Sequence, residues 1–255
     1  MEKKVLIRGI ESNFKIEGEG KPLLILHGWG GSSDSWLDIS NKLTLKGYKI
    51  ICPDLPGFGK SGIPQKSWSL TDYLNWTLDF VNYFNLDKFY LIGHSFGGRI
   101  AVKLAANYPQ RLEKLILCSP AGIKIKLSLK TGAIRLIAEI GNYFFNLKYL
   151  RVFKDIARSI FYFFLRHKDY VKAKGVMRET MKKVLEKDIS FCLSKINTKT
   201  LIIWGKNDKM VPIKYASIFK EKIKNSKLEV LASVGHNPHL EAPEELAELI
   251  IKFFA

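Results

Sequence analysis

Phe89-Tyr90-Leu91-Ile92-Gly93-His94-Ser95-Phe96-Gly97-Gly98-Arg99 is the stretch from which the rest of the chain can be read. Phe89 to Ile92 form an apolar, strand-like run, and the residues up to Asn107 carry a helical pattern. Ser95 lies between the two, so the backbone must turn very sharply at that residue. A turn of this kind needs neighbours that tolerate positive φ and close packing. Gly93 and Gly97, two residues before and two after, supply both. G-x-S-x-G between a strand and a helix lifts the serine to the tip of a sheet, where its hydroxyl can act as a nucleophile. A serine that only caps the helix is the competing reading.

A nucleophilic serine needs a base, and the base needs an orienting acid. Of the five histidines, His236 stands in Gly235-His236-Asn237-Pro238-His239-Leu240-Glu241, after a strand-like run at 227–231 and before a C-terminal helical pattern. The acid lies in Leu201-Ile202-Ile203-Trp204-Gly205-Lys206-Asn207-Asp208, a buried-type strand running into a loop, with Asp208 at its carboxyl end. Ser95, Asp208 and His236 follow one another in the order expected of an α/β-hydrolase.

Two further landmarks point the same way. His27-Gly28-Trp29-Gly30 follows the strand-like Leu23-Leu24-Ile25-Leu26, and Asp54-Leu55-Pro56-Gly57-Phe58-Gly59-Lys60-Ser61 follows the run at 49–52. With five landmarks in order, the chain resembles the α/β-hydrolase fold superfamily along essentially its whole length. That resemblance implies an oxyanion hole built from two backbone N–H groups, those of Phe96 and Trp29. It also favours His236 over His239 as the base, because the base follows the glycine directly. The remaining polar residues receive supporting roles: packing for His94, ordering of its own loop for His27, a turn-forming role for Asp54, and loop fixing or helix initiation for Glu241.

Composition fits one enzyme domain. A chain of 255 residues can bury a substantial core, and 47% hydrophobic with 25% charged residues is a globular balance. Cys52, Cys118 and Cys192 are widely separated, with no metal spacing and no disulfide framework. No signal-like apolar core precedes Gly20, and no run approaches a membrane span. The expectation is a cytoplasmic protein without metal or other cofactor.

Strand patterns at 5–8, 14–17, 23–26, 49–52, 89–92, 112–118, 201–204 and 227–231 predict eight strands. Helical patterns at 34–46, 70–84, 97–107, 213–223 and 243–254 lie among them. The expected architecture is α/β: an eight-stranded, mostly parallel α/β-hydrolase sheet with helices on both faces. Residues 1–121 and 197–255 form the core. Residues 122–196, after the sixth strand, resemble the helical cap of the family. The segment holds Tyr143, Phe144, Phe145, Tyr149, Phe153, Phe161, Tyr162, Phe163 and Phe164. These aromatics either face an acyl or aryl group from above or join cap to core.

Charge gathers in the same segment. The whole chain carries a formal +17, and 122–196 alone has seventeen Lys and Arg against six Asp and Glu. Arg151, Lys154 and Arg158 fall at helical spacing, as do Lys168, Lys172 and Lys174. Such a field would steer an acidic partner or an anionic surface, or simply keep the protein dispersed. Nucleic-acid recognition is not expected, since no recognition motif accompanies the charge.

The chemistry expected from the residues together with the resemblance is ester hydrolysis. Ser95 attacks, His236 takes its proton, Asp208 orients the imidazole, and water completes the turnover. The substrate is expected to be a small ester with a hydrophobic acyl or aryl group, its binding residues undetermined. Serine at the elbow argues against the dehalogenase and epoxide-hydrolase relatives, which carry aspartate there. A ring-cleavage carbon–carbon bond hydrolase, an acyl-carrier-protein methyl esterase, and a ligand-sensing hydrolase with slow turnover remain as alternatives.

Overall fold

A computed structural model describes residues 1–123 and 175–255. Eight strands form a single sheet: β1 (Glu2–Ile7), β2 (Ile10–Glu17), β3 (Lys21–Leu26), β4 (Tyr48–Pro53), β5 (Phe89–His94), β6 (Leu112–Cys118), β7 (Thr200–Gly205) and β8 (Ser226–Leu231). Their order is β1-β2-β4-β3-β5-β6-β7-β8. The β1–β2 and β2–β4 pairs are antiparallel, and every later pair is parallel. This is the eight-stranded, mostly parallel sheet expected from the sequence.

The central strands carry unbroken apolar runs, such as Leu23 to Leu26 and Leu201 to Trp204, because both of their faces are covered. Leu24 and Leu26 point into one core with Leu91, Leu115, Leu117, Ile202 and Trp204. Leu23 and Ile25 point into the other with Ile50, Ile92, Ile116, Leu201 and Ile203. Helices α2 (Leu70–Tyr83) and α3 (Ser95–Asn107) close the first core through Trp76, Phe80, Ile100 and Leu104. Helix α1 (Leu37–Thr44) and the C-terminal helix (Pro243–Phe254) close the second through Ile39, Leu43, Leu246 and Ile250.

Several element edges differ from the sequence reading, and most strands run longer, β1 starting at Glu2 and β2 at Ile10 rather than at 5 and 14. The first strand ends at Ile7 rather than Arg8, because Arg8 and Gly9 both take positive φ, 51° and 74°, and form a tight hairpin. The run at 34–46 divides into a 3-10 turn, Ser33–Trp36, followed by α1. Helix α3 begins at Ser95, not Gly97, so β5 passes into α3 with no intervening loop.

The strand order places a switch point in the middle of the sheet. From β3 the chain crosses to β4 on one side, and β5 returns on the other side of β3. The connections leaving the carboxyl ends of β3 and β5 therefore run in opposite directions, and a crevice opens at that point. Beyond β6, α4 (Gly175–Glu186) and the short α5 (Ser190–Leu193) precede β7. The backbone N–H of Ile189 donates to the carbonyl of Gly122 at 3.0 Å, so the chain leaving β6 and the chain returning to β7 are joined there.

Candidate active site

Ser95 stands at the switch point as the first residue of α3, with φ at +49°. This is the left-handed region, which costs a residue bearing a Cβ and persists where surrounding structure enforces it. The enforcing contact is close. Gly97 N–H donates to the carbonyl of His27 at 3.1 Å, and a Cβ on Gly97 would run into the carbonyls of Leu26 and His27. The elbow is thus pinned flat against the end of β3.

His236 and Asp208 reach the serine from the loops after β8 and β7. His236 Nδ1 lies 2.8 Å from Asp208 Oδ2, and His236 Nε2 lies 2.9 Å from Ser95 Oγ. An ionised carboxylate can only accept, so Nδ1 carries the proton and Nε2 offers its lone pair to the serine hydroxyl. The other oxygen of Asp208 accepts from the backbone N–H groups of Met210 and Val211, each at 2.8 Å. Asp208 and His236 are both buried. The three residues singled out from the sequence are therefore within hydrogen-bond reach in one chain.

The loop after β3 forms the facing wall. Gly28 is essential for the approach, since a Cβ there would lie 2.8 Å from His94 Nδ1 and 3.3 Å from Ser95 Cβ. The next residue, Trp29, packs edge-on against Phe58 and Phe96, with ring centroids 4.8 and 5.2 Å away. Phe96 is the second residue of α3, so its N–H has no intrahelical acceptor. Trp29 and Phe96 line the same cavity as Ser95 and His236. Its volume is about 370 Å³, and Met181, Val184 and Leu185 of α4 with Met210 add apolar wall.

The supporting histidines do more than fill space. His27 hydrogen-bonds its own loop through Gly28 O at 2.7 Å and accepts from Leu55 N–H at 2.8 Å. It thereby ties the two glycine-rich loops together. His94, read from the sequence as a packing residue, donates from Nε2 to the backbone carbonyl of His236 at 2.8 Å. His239 stacks on Trp36 at 4.5 Å and touches His94 at 4.6 Å. Burial, with the neighbouring histidines His239 and His236, holds His94 well below the ordinary histidine range. Burial pulls His239 down to about 3, so both rings are neutral.

Asp54 is a hub beneath the site. It accepts from Ser33 N–H at 2.6 Å, from Lys60 N–H at 2.8 Å and from the Asn13 amide at 3.0 Å. Burial alone would raise its pKa, but these hydrogen bonds outweigh it and hold the carboxyl below its ordinary value. Glu241 fixes the loop of the base, accepting from Gly235 N–H at 2.6 Å and Asn237 N–H at 2.9 Å.

One residue on the cavity wall escaped the sequence reading. Arg99, on α3 one turn after Ser95, is buried and donates from Nη1 to the carbonyl of Val184. Its signal was a lone cation inside Phe96-Gly97-Gly98-Arg99-Ile100-Ala101, where the helix is otherwise apolar. The aromatic cluster from Tyr143 to Phe164 and the basic residues Arg151, Lys154, Arg158, Lys168, Lys172 and Lys174 lie outside the described residues. Among the described residues, no helix is long and apolar enough to cross a membrane.

A crevice at a sheet switch point, faced by a serine on a strand–helix elbow, defines a class of hydrolase. The profile of the alpha/beta hydrolase fold matches residues 21–138 and 182–243, and the chain belongs to that family. It is 28% identical to the monoacylglycerol lipase ABHD6 of Mus musculus over 260 residues, which cover 93% of this chain and 76% of that protein. It is 26% identical to the 2-hydroxy-6-oxo-6-phenylhexa-2,4-dienoate hydrolase of Burkholderia cepacia over 269 residues, 96% of this chain and 92% of the relative. Among solved structures, an esterase from Exiguobacterium antarcticum superposes with a TM-score of 0.77 at 24% identity, covering 99% of each chain.

Proposed function

We propose that the protein hydrolyses carboxylic esters through an acyl-enzyme on Ser95. The observation that carries this reading is the hydrogen-bonded series from Ser95 Oγ through His236 to Asp208, at 2.9 and 2.8 Å, opening into the cavity. As Ser95 attacks the ester carbonyl, His236 Nε2 takes the hydroxyl proton, and Asp208 stabilises the imidazolium. The carbonyl oxygen becomes an anion held by the N–H groups of Phe96 and Trp29, an arrangement in which each donor is worth about 3 kcal/mol of barrier. His236 then protonates the leaving alcohol. Water, activated by the same imidazole, attacks the acyl-enzyme and releases the acid.

Residues 122–196 act in this reading as the cap over the site, supported by the side chains that α4 contributes to the cavity wall. The apolar lining favours a hydrophobic acyl or aryl group. Kinship with the Burkholderia hydrolase, nearly end to end, keeps carbon–carbon bond cleavage by the same three residues as a second reading.

Initial rates on 4-nitrophenyl esters from acetate to palmitate, with Ser95→Ala beside the native protein, test the proposal. The expected result is fast turnover with a chain-length optimum, reduced about ten-thousand-fold or more by the substitution. Negligible turnover by the folded native protein on every ester would turn the assignment to carbon–carbon bond hydrolysis.

A further inference from the structure

Arg99 is a buried cation on the cavity wall with a donor left unused. Its exposure is 4%, and a guanidinium presents five N–H donors that stay ionised at any working pH. Nη1 donates to Val184 O in the last turn of α4, but Nε has no hydrogen-bond partner. Burial lowers the pKa to about 10, with the attraction of Asp188 opposing it. Asp188 is the carboxylate whose attraction reaches the guanidinium, and the hydrogen bond the guanidinium donates is the Nη1 contact with Val184 O. A buried guanidinium with an unsatisfied donor is costly, and the cost is offset where an acceptor arrives.

The place from which a partner can arrive is the cavity. Arg99 lines it together with Ser95. One turn of helix, about 6 Å, separates their backbones. A latch to α4 through Val184 O occupies one donor of the five.

We propose that Arg99 is the anion-recognising residue of this pocket, and that the substrate is an acyl compound bearing a carboxylate. The carboxylate binds the guanidinium while the scissile carbonyl lies over Ser95. This deepens the ester-hydrolase reading and rests on it for the reaction, though not for the binding.

The test compares 4-nitrophenyl hemiesters of adipic and suberic acid with neutral 4-nitrophenyl hexanoate and octanoate, on native protein, Arg99→Met and Arg99→Lys. The native protein is expected to favour the carboxylate-bearing esters in kcat/KM. That preference should fall roughly 10- to 100-fold in Arg99→Met, as expected for a lost charge-assisted hydrogen bond, with Arg99→Lys retaining part of it. Calorimetric titration with adipate and suberate reads the same site without any turnover. A native preference near unity, or an undiminished preference in folded Arg99→Met, overturns the proposal and leaves Arg99 a latch. Should Arg99→Met fail to fold, Arg99→Lys and titration of the native protein decide, and no dicarboxylate binding overturns it. Dicarboxylate binding without cleavage of any ester would keep the anion site and remove the ester-hydrolase reading. Ester cleavage without carboxylate preference would do the reverse.

Discussion

Ser95 holds a backbone conformation that its Cβ resists, with φ at +49°. Glycine adopts that region freely, whereas alanine does not. Ser95→Gly and Ser95→Ala both remove the hydroxyl, so their difference isolates the backbone. Ser95→Gly is expected to be the more stable of the two by about 1 kcal/mol in urea unfolding. Equal stability would mean that the elbow is relaxed. The glycines around Ser95 made the elbow legible in the sequence, because few other reasons require them at that spacing. The same holds for Asp208 and His236, each placed by the strand before it. The partners of buried side chains were not legible. That His94 reaches the carbonyl of His236, or that Asp54 gathers three donors, depends on distances between segments that the sequence leaves unspecified.

At the scale of elements, the β5–α3 junction has no slack. Gly97 touches the end of β3, so an added methyl must displace main chain rather than a side chain. Gly97→Ala is expected to cost about 3 kcal/mol or more and to abolish turnover, checked by thermal unfolding beside the ester assay. An unchanged melting temperature would show that β3 can retreat. Strands were readable because sheets covered on both faces require unbroken apolar runs, as in Leu23 to Leu26 and Leu201 to Trp204. Ends were less readable. Arg8 directly follows the apolar run Val5-Leu6-Ile7, yet it belongs to the hairpin turn, because Gly9 and the antiparallel register of β1 with β2 decide that boundary. The start of α2 was legible through Ser69 and Asp72, whose side chains cap each other's backbone N–H groups.

Across the whole molecule, three buried histidines tie stability to acidity. His27, His94 and His239 all lie below the ordinary value of 6.5, burial being the largest cause for each. The unfolded chain takes up their protons below about pH 6.5, while the folded chain does so only at lower pH. Their contribution is therefore complete above that value and is lost as pH falls toward the folded-state values. Urea unfolding is expected to report a loss of about 2 kcal/mol or more between pH 7 and pH 5. A flat profile would mean that these rings charge in place. Asp54 acts in the same direction at still lower pH, since its depressed carboxyl must be protonated for its hydrogen bonds to be given up.

The hydrogen bond from Ile189 to Gly122 has a consequence for descent. Because the excursion begins and ends at a single point, a lineage can replace, lengthen or trim what lies between without re-registering a strand. The sheet then stays a fixed chassis, and the excursion is where the sequence can change length without disturbing it.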